Sequence, residues 1–337
     1  MLMKKNVFKE ITLMNAILCL CVVMIHLTSA PVEKFISGSI PHILAFSVNK
    51  SLCFCVPAFI FLSGFKLYAN YGDSKIDLMR FWWGRLRKIV IPYVIAVVVY
   101  FICFYFKRTV DFKDLPMHIL LGTLVAHFYY IIIAVQAYLL FPFLKTLFNK
   151  WPLAVLILSF VCTAVFNQFI SFTYRDRFIG TYIFYLILGM AFAKYRVYEK
   201  GKPLFITAFM GAIIVGSGHF WFLYTAITKQ FMYKYANLIT VVYVSLAIAA
   251  IYGICLKLAD TLPRIYTLGK KLSAVSYNVY LYHFVVIFIF QYYVFPKLNL
   301  SPATEFYIAA TCLYGIIFAY SFIHDKLKKF NKKSLRP

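Results

Sequence analysis

Two histidines lie inside long apolar stretches of the sequence. His26 is the one acidic or basic side chain in the apolar run 12–28, and His283 lies in a second run near the C-terminus. An imidazole takes up or releases a proton near neutral pH, which is the range that a general base needs. A polar residue in lipid is costly, so it usually faces a protein interior or a water-filled cavity and has a function. The two histidines are therefore the first candidates for a proton-transfer site.

Other polar residues share a helix face with each histidine. Asn15 precedes His26 by 11 residues, about three helical turns, so the two side chains lie on one face. Ser276, Tyr280 and His283 follow one another at spacings of four and three residues, which also places them on one face. Three stacked polar groups favour a lined cavity over a lone histidine that only hydrogen-bonds to a neighbouring helix.

Further candidates lie at the ends of other apolar runs. Ser63 and Gly64 end the second run, where Ser63 could hydrogen-bond across a helix interface, although tight packing explains the pair equally well. His127 lies at the mouth of the fourth run. The segment after the second run is basic and contains Arg80, Arg85, Arg87 and Lys88. Such charges are expected of a cytoplasmic loop, and they could also bind a phosphate-rich cytosolic ligand.

The composition predicts that membrane helices position these residues. The 337 residues are 63% hydrophobic and 20% aromatic, with a mean hydropathy of +0.80, and long apolar stretches indicate membrane spans. The first run lacks a small-residue cleavage site, so we expect it to be a retained helix. About ten spans are predicted, at residues 11–28, 52–70, 88–106, 128–146, 152–169, 178–194, 204–223, 237–256, 274–295 and 304–323. Residues 116–126 are apolar enough for an interfacial or re-entrant helix.

The expected fold is thus all-α and polytopic, a single domain over 1–337 with a helical bundle at 11–323 and a basic cytoplasmic tail at 324–337. Charge asymmetry predicts its orientation. With the N-terminus inside, 24 of the 35 Lys and Arg residues fall in inner segments and ten in outer ones. The positive-inside rule then places both termini in the cytoplasm. The net charge of +24 is explained by these loops and by a tail facing lipid headgroups, so no nucleic-acid partner is predicted.

Metal binding and proton-coupled transport are both disfavoured by the sequence. The eight cysteines fall in apolar runs, and neither C-x-C pair has the partner spacing of a zinc site, so no metal is predicted. Proton-coupled transporters often use a carboxylate within the membrane, and the Asp and Glu residues of this chain lie in loops or at the ends of the predicted spans.

Six segments, in this order along nearly the whole chain, resemble the membrane-bound acyltransferase 3 family. They are VVMIHLT around His26, VPAFIFLSGF at 56–65, RLRKIVIPY at 85–93, AHFYYIIIAVQAYLLFPFL at 126–144, FYLILGM at 184–190 and SYNVYLYH at 276–283. The resemblance implies an integral O-acyltransferase of the cytoplasmic membrane. Such an enzyme passes an acyl group, usually acetyl, from cytoplasmic acyl-CoA to a hydroxyl of a cell-envelope glycan or lipid-linked sugar. Acyl-CoA is then a donor substrate, and no permanently bound cofactor is expected.

The resemblance also implies residue roles. The essential first-helix histidine of the family falls on His26, and its late S-x-x-x-Y-x-x-H motif ends at His283. The expected catalytic residues are His26, His283, Tyr280 and Ser63; the donor-binding residues are Arg80, Arg85, Arg87 and Asn15; and the acceptor-binding residues are His127, Tyr130 and Ser276. Two positions depart from the family pattern. Asn15 replaces the usual Arg or Lys, which removes a permanent charge, and Tyr129 replaces the usual Trp.

The resulting hypothesis is acyl transfer across the membrane. The CoA phosphates would lie near Arg85 and Arg87, and the thioester would reach His26, which acts as general base or as acyl carrier. His283 and Tyr280 would orient the acceptor or polarise the carbonyl. On the predicted boundaries His26 lies near the outer end of its helix, so a deep pore or a bent first helix is required. The alternatives are an exporter or flippase of a lipid-linked glycan, and a structural scaffold, which leaves the shared polar faces unexplained.

Overall fold

The computed structural model describes residues 8–199, 202–229 and 236–334. Helices and connecting turns make up these ranges, and no strand occurs in them. The α-helices are α1 Lys9–Lys34, α2 Ile40–Ser51, α3 Cys55–Tyr71, α4 Leu78–Arg85, α5 Ile91–Phe106, α6 Leu115–Leu121, α7 Tyr129–Lys150, α8 Pro152–Gln168, α9 Ile183–Lys194, α10 Lys202–Lys229, α11 Ala236–Thr261, α12 Pro263–Ile289 and α13 Pro302–Ser334. The predicted all-α fold is confirmed.

Within the described ranges, eight helical stretches are long and apolar enough to cross a membrane. They are Lys9–Lys34, Ile40–Tyr71, Leu78–Phe106, Ala126–Lys150, Phe205–Thr228, Asn237–Thr261, Pro263–Lys297 and Pro302–Asn331. The fifth and sixth predicted spans correspond to α8 and α9, which are apolar but shorter, with 17 and 12 residues. The chain is therefore a polytopic helical protein, and each of the ten predicted runs contains a helix.

The first helix is longer than predicted. α1 has 26 residues, about 39 Å at 1.5 Å per residue, against a bilayer hydrocarbon core of about 30 Å. His26 consequently lies eight residues, about 12 Å, before the helix end rather than at it. The hydropathy pattern ended the span early because the last turns carry Glu33 and Lys34.

Three predicted non-helical segments are helical. The first predicted outer loop contains α2, whose N-cap Ser39 accepts a hydrogen bond from the backbone N–H of His42 at 3.3 Å. The connection between the predicted spans 237–256 and 274–295 is reduced to Leu262, because α11 and α12 extend to either side of it. The predicted tail 324–337 continues α13 as far as Ser334. Helices extend past the apolar window because each added residue still gains a backbone hydrogen bond, and Asp325 also pairs with Lys329 at 2.8 Å.

Contacts between Cα atoms divide the chain into two compact units. The first unit contains residues 8–55, 202–229 and 249–334, and the second contains 56–199 and 236–248. This division does not test the predicted single acyltransferase domain, which stays a prediction.

In the first unit, α1, α12 and α13 share one apolar core. Its buried members include Val23 and Leu27 of α1, Val279 and Ile287 of α12, and Leu313 of α13. Because these side chains come from three helices separated by up to about 300 positions, the core is what holds α1 against α12.

In the second unit, α3 and α9 cross with their backbones in close contact. A β-carbon at Gly64 would overlap the carbonyl oxygen of Leu186, and one at Gly189 would overlap that of Phe61. Small residues permit this approach between membrane helices, where van der Waals packing drives association. Beside this crossing, Tyr68 of α3 donates a hydrogen bond to Asn149 of α7 at 2.6 Å.

Candidate active site

The two predicted membrane histidines lie side by side in the first unit. The ring centroids of His26 on α1 and His283 on α12 are 5.1 Å apart, with an angle of 45° between the ring planes. A nitrogen of each ring lies within 4.8 Å of a nitrogen of the other. Phe284 packs edge-on against His26 at 5.9 Å. The structure therefore joins two imidazoles that are 257 positions apart in the chain.

The backbone of α12 determines which nitrogen of His283 carries a proton. Nδ1 of His283 lies 3.0 Å from the carbonyl oxygen of Val279 and 2.9 Å from that of Tyr280. A carbonyl oxygen can only accept, so Nδ1 is the donor and carries hydrogen. In the neutral ring the lone pair is then on Nε2, which accepts a hydrogen bond. His283 is 3% exposed, so this tautomer is held inside the protein.

Neighbouring helices hold the segment of α1 that carries His26. Its side chain is partly exposed, whereas His283 is buried. On the turn beside it, Asn49 of α2 donates hydrogen bonds to the Ile25 carbonyl at 2.9 Å and to the Thr28 hydroxyl at 3.0 Å. The ring of Tyr280 lies 6.3 Å from that of His283. This segment of α1 is thus held by α2 on one side and by α12 on the other.

Asn15 links the same two helices nearer the N-terminus of α1. Its amide Nδ2 donates to the hydroxyl of Ser273 at 2.9 Å and to that of Ser276 at 2.7 Å. The Ser276 hydroxyl in turn donates to the carbonyl oxygen of Ser273 at 3.0 Å, and the Cys19 thiol lies 3.6 Å from the carbonyl oxygen of Ser276. Both amide hydrogens of Asn15 are therefore used between α1 and α12. The predicted donor-binding role of Asn15 and the acceptor-binding role of Ser276 are untested by these contacts.

Ser273 was not predicted to belong to the site. It precedes Ser276 by three residues on a helix, so the spacing rule that grouped Ser276 with Tyr280 would have included it. Asn49 was missed for a different reason, because its segment was predicted to be a loop.

Ser63 lies in the second unit, within α3. Its hydroxyl donates to the carbonyl of Phe59 at 3.0 Å, a bond within its own helix, and its side chain is buried. The hydroxyl oxygen can still accept a hydrogen bond. The neighbouring Gly64 is explained by the α3–α9 crossing.

His127 and Tyr130 also lie in the second unit, around the start of α7. His127 is 2% exposed and lies in a short 3₁₀ turn, with its ring 6.1 Å from that of Tyr100 and 4.7 Å from that of Phe128. The ring of Tyr130 lies 5.6 Å from that of Phe59. Aromatic rings therefore set the position of both predicted acceptor-binding residues.

The basic segment of the second unit presents arginines on aromatic faces. The guanidinium of Arg85 lies 4.7 Å from the ring centre of Phe81 and 5.5 Å from that of Tyr138, and that of Arg87 lies 4.9 Å from Trp83. Arg80 lies in the first turn of α4, which Asp77 caps through a bond from the Arg80 backbone N–H at 3.1 Å. In the described part of the chain none of these arginines forms an ion pair with a carboxylate. Stacking on a ring leaves the N–H edges available to an anion.

The predicted site residues thus fall into two groups, one in each unit. The first unit brings together Asn15, His26, Ser276, Tyr280 and His283 along the α1–α12 interface. The second unit contains Ser63, Arg80, Arg85, Arg87, His127 and Tyr130. The prediction of no metal is untested by this arrangement and stays a prediction.

These observations define the class of protein: a polytopic helical bundle with paired intramembrane histidines. Comparison with known families assigns it further: the model of the acyltransferase 3 family, described as an acyltransferase domain, matches residues 8–324. The chain therefore belongs to this family, which confirms the resemblance inferred from the six segments. Residues of both units lie within the match.

A curated bacterial protein is similar to part of the chain. It is named "Putative membrane-bound acyltransferase YfiQ", from Bacillus subtilis (strain 168), and it is 28% identical over 171 residues. The alignment covers 48% of this chain and 46% of that protein, so the chain spans about half the length of this relative. Among solved structures, none matches the chain.

Proposed function

We propose that this protein transfers an acetyl group from cytoplasmic acetyl-CoA to a hydroxyl of a cell-envelope glycan or lipid-linked sugar. Membership of the acyltransferase 3 family supports acyl transfer as the reaction class, and the helical spans make the chain a multi-pass membrane protein. The donor, the acetyl group, the acceptor and the cytoplasmic membrane as location are the finer parts of the proposal. They rest on the resemblance and on the charge distribution along the chain.

The observation that carries the proposal is the pairing of His26 with His283 inside the bundle. His26 removes the proton from the acceptor hydroxyl, and the oxygen attacks the carbonyl carbon of the thioester. The C–O bond forms, the C–S bond breaks, and the CoA thiolate leaves and takes up a proton. The products are an O-acyl ester and free CoA. A positioned base of this kind contributes about 10²–10⁴-fold to a rate.

The tautomer of His283 favours one of its two predicted roles. With hydrogen on Nδ1 facing two carbonyls, neutral Nε2 accepts a hydrogen bond and cannot donate one to a developing oxyanion. His283 therefore orients the acceptor hydroxyl or the ring of His26. Polarising the carbonyl falls to a donor such as the hydroxyl of Tyr280, whereas the hydroxyl hydrogen of Ser63 is donated to the Phe59 carbonyl. His127, Tyr130 and Ser276 are proposed to contact the acceptor.

The donor is proposed to bind through the arginines of the basic segment. CoA carries phosphate groups, and Arg85 and Arg87 present guanidinium groups without a carboxylate partner in the described part of the chain. Arg80 adds a third cation at the start of α4. Both amide hydrogens of Asn15 are donated to Ser273 and Ser276, and the amide lacks the charge that the family has at this position. In this proposal Asn15 therefore does not bind phosphate directly.

The first testable prediction is that His26→Ala abolishes transfer. Both proteins are reconstituted in vesicles with radiolabelled acetyl-CoA and lipid extract from the host envelope. The His26→Ala variant should transfer acetyl groups at least about 100-fold more slowly than the unaltered chain, because the base is removed. His324→Ala is the matched control, since His324 lies at the far end of α13 against Tyr320. Its rate should stay unchanged.

Transfer by well-folded His26→Ala protein at the rate of the unaltered chain would contradict the mechanism. A chain that transfers no label, while lipid-linked glycan still changes leaflet in the same vesicles, would instead favour the exporter or flippase. Membrane insertion and monodispersity of both variants are measured first, so that a folding defect is recognised as such.

A further inference from the structure

A cavity of about 580 Å³ lies in the second unit, between the α3–α4 connection and the second half of α7. Residues between 72 and 78 line one of its walls, and residues between 142 and 149 line the other. Binding sites for small molecules usually occupy about 300–1,000 Å³, so the cavity has room for a nucleotide. The mechanism proposed above assigns no role to any residue of this lining.

Hydrogen bonds between the two walls fix the shape of the cavity. The amide of Asn149 donates to the carbonyl oxygen of Gly72 at 3.0 Å, and its own oxygen accepts from the Tyr68 hydroxyl at 2.6 Å. The ammonium of Lys145 donates to the carbonyl oxygen of Ser74. Because these bonds hold the α3–α4 connection against α7, the cavity is preformed and a ligand has little chain to order on binding.

The polar lining carries more positive than negative charge. Lys75 and Lys145 are the cations of the lining, and Asp73 is its carboxylate. Lys75 is exposed, and among the described residues no carboxylate forms an ion pair with it. An ammonium has three N–H donors, so Lys145 keeps two after its bond to the Ser74 carbonyl. Both lysines can therefore donate charge-assisted hydrogen bonds to a phosphate.

The remaining lining suits a nucleoside. Phe143 is 60% exposed, so the face of its ring is open to stacking by a base. Ile76 and Leu78 add apolar surface on the opposite wall. The hydroxyls of Ser74 and Thr146 donate their hydrogens to backbone carbonyls, and their oxygens can still accept hydrogen bonds. The cavity thus combines cations, an aromatic face and acceptors.

We propose that this cavity binds the 3′-phosphoadenosine end of the CoA donor. The adenine stacks on Phe143, and the 3′-phosphate accepts hydrogen bonds from Lys75 and Lys145. Arg80 follows the cavity residue Leu78 by two positions in the first turn of α4, so the 5′-diphosphate leaves the cavity toward the arginines of α4. The inference rests on the proposed function, because it names the part of that donor which the protein recognises. The charge pattern predicts that this connection faces the cytoplasm, where acyl-CoA is found.

The direct test compares two nucleotides that differ only in the 3′-phosphate, adenosine 3′,5′-bisphosphate and adenosine 5′-phosphate. Equilibrium dialysis with the full chain in nanodiscs of zwitterionic lipid measures the Kd of each. We expect the bisphosphate to bind about tenfold more tightly, because it gains charge-assisted hydrogen bonds. Equal Kd values, or no binding of either nucleotide, would overturn the inference. Displacement of the bisphosphate by an equal concentration of inorganic phosphate would also overturn it, since it would indicate a general anion site.

Lys75→Gln removes one cation of the cavity, and the fold should be retained because the side chain is exposed. It should weaken binding of the bisphosphate about tenfold and leave that of adenosine 5′-phosphate unchanged. Lys150→Gln is the matched control, since Lys150 is an exposed lysine of α7 that lies 4.2 Å from the ring centre of Trp151 and does not line the cavity. An unchanged ratio of the two Kd values in Lys75→Gln, or an equal loss in Lys150→Gln, would overturn the inference.

A pair of tryptophan variants tests the space itself. Thr146→Trp fills the cavity and should weaken binding of both nucleotides about tenfold or more. Leu147→Trp should leave both Kd values unchanged, because Leu147 is the next residue of α7, is 45% exposed and does not line the cavity. Equal binding by the two variants would place the nucleotide elsewhere and would overturn the inference.

The transfer assay separates this inference from the proposed function. In Lys75→Gln the KM for acetyl-CoA should rise about tenfold with kcat little changed, whereas the KM for acetyl-3′-dephospho-CoA should stay the same. His26-dependent transfer with an unaltered KM for acetyl-CoA in Lys75→Gln would overturn the cavity as donor site while the proposed function stands. Lys75-dependent binding of the bisphosphate without any His26-dependent transfer would contradict the proposed function, and with it the donor role of the bound nucleotide.

Discussion

The backbone of its own helix occupies one ring nitrogen of His283. Nδ1 faces the carbonyls of Val279 and Tyr280, so one tautomer is held and Nε2 is the acceptor. His283 is buried, whereas the side chain of His26 is partly exposed. The two rings therefore have unequal environments, so one ring can act as the base while the other makes the orienting contact.

A second residue-scale prediction concerns Asn15. Asn15→Ala removes two hydrogen bonds between α1 and α12, and interhelical hydrogen bonds in membrane proteins are worth about 0.6–1.7 kcal/mol. We expect the melting temperature in detergent to fall. In a double-mutant cycle, the double variant Asn15→Ala, Ser276→Ala should lose less stability than the sum of the losses in the two single variants, because both substitutions remove one shared contact.

The cycle has a control on another helix, α11. Ser245→Ala removes a hydroxyl that bonds only to the Val241 carbonyl of its own helix, so its effect should add independently to that of Asn15→Ala. Additive behaviour of Asn15 and Ser276 would show that the observed bond contributes nothing to holding α1 against α12.

A third prediction concerns donor binding by Arg85. Arg85→Lys keeps the charge but loses the planar group that stacks on Phe81 and Tyr138. We expect the KM for acetyl-CoA to rise several-fold, by about 1 kcal/mol of lost binding, with kcat little changed. Arg85→Gln should raise it further, because it also removes the charge. The KM values come from initial rates of label transfer in vesicles.

Arg264→Gln serves as the control for Arg85, because Arg264 is an exposed cation at the start of α12. It tests whether any basic residue on the predicted cytoplasmic side would have the same effect. An equal rise of KM in Arg264→Gln would show general electrostatic attraction instead of a site at Arg85.

At the scale of elements, glycine spacing decides how closely α3 and α9 approach. Gly64 lies against the backbone of α9, and Gly189 lies against the backbone of α3. A side chain at either position has to displace backbone atoms, which cannot move aside as a flexible side chain can. Gly64 is therefore explained by packing, whereas the catalytic role of Ser63 stays a prediction.

The fourth prediction follows from this crossing. Gly64→Ala should separate α3 from α9 and destabilise the second unit by about 1–3 kcal/mol or more, which is the usual cost of overpacking. Gly315→Ala is the control, since a β-carbon there meets no atom within 4 Å, and alanine is the better helix former by about 1 kcal/mol. Thermal unfolding in detergent should show a lower midpoint for Gly64→Ala and an equal or higher one for Gly315→Ala. Equal midpoints for Gly64→Ala and the unaltered chain would contradict the crossing.

At the scale of the whole molecule, the excess of positive charge indicates how the chain is oriented. Most Lys and Arg residues fall in alternate connections between apolar runs, and such connections remain in the cytoplasm. The structure shows the helices without a membrane, so the orientation stays a prediction from sequence. It can be measured directly because the connections carry exposed polar residues.

The fifth prediction tests this orientation. In intact cells, a membrane-impermeant maleimide should label Thr109→Cys, which lies after α5 on the predicted outer side. Lys75→Cys, before α4, should be labelled only after the cells are permeabilised. Both positions are exposed. The unaltered chain controls for the eight native cysteines, which lie within apolar segments. The reverse pattern of labelling would place both termini outside.

Periodicity and hydropathy predicted much of the helical content but not the ends of the helices. The boundaries of α7 and α8 agree with prediction to within a few residues, because both begin or end near proline or charged residues. α2 was missed and α13 was cut short, because polar side chains lower the hydropathy of a window without preventing a helix. The one-residue connection at Leu262 between α11 and α12 was not predicted, for the same reason.

The sequence predicted which residues belong to the candidate site but not which of them contact one another. Shared helix faces grouped Asn15 with His26, and Ser276 with His283, since i, i+3 and i+4 spacing is a local property. The bond from Asn15 to Ser276 and the contact of the two rings join positions about 260 apart. No local pattern encodes the relative register of two helices, so these contacts could not be inferred.

The sequence by itself determined that the chain is an all-α membrane protein of the acyltransferase 3 family and which polar side chains its apolar segments contain. Hydropathy, charge and motif order are properties of consecutive residues, so they can be read without knowing the fold. Only the tertiary structure decided that His26 meets His283 and that Asn15 bonds to serines. These depend on how α1, α12 and α13 pack together, and packing is set by the shapes of side chains from distant parts of the chain.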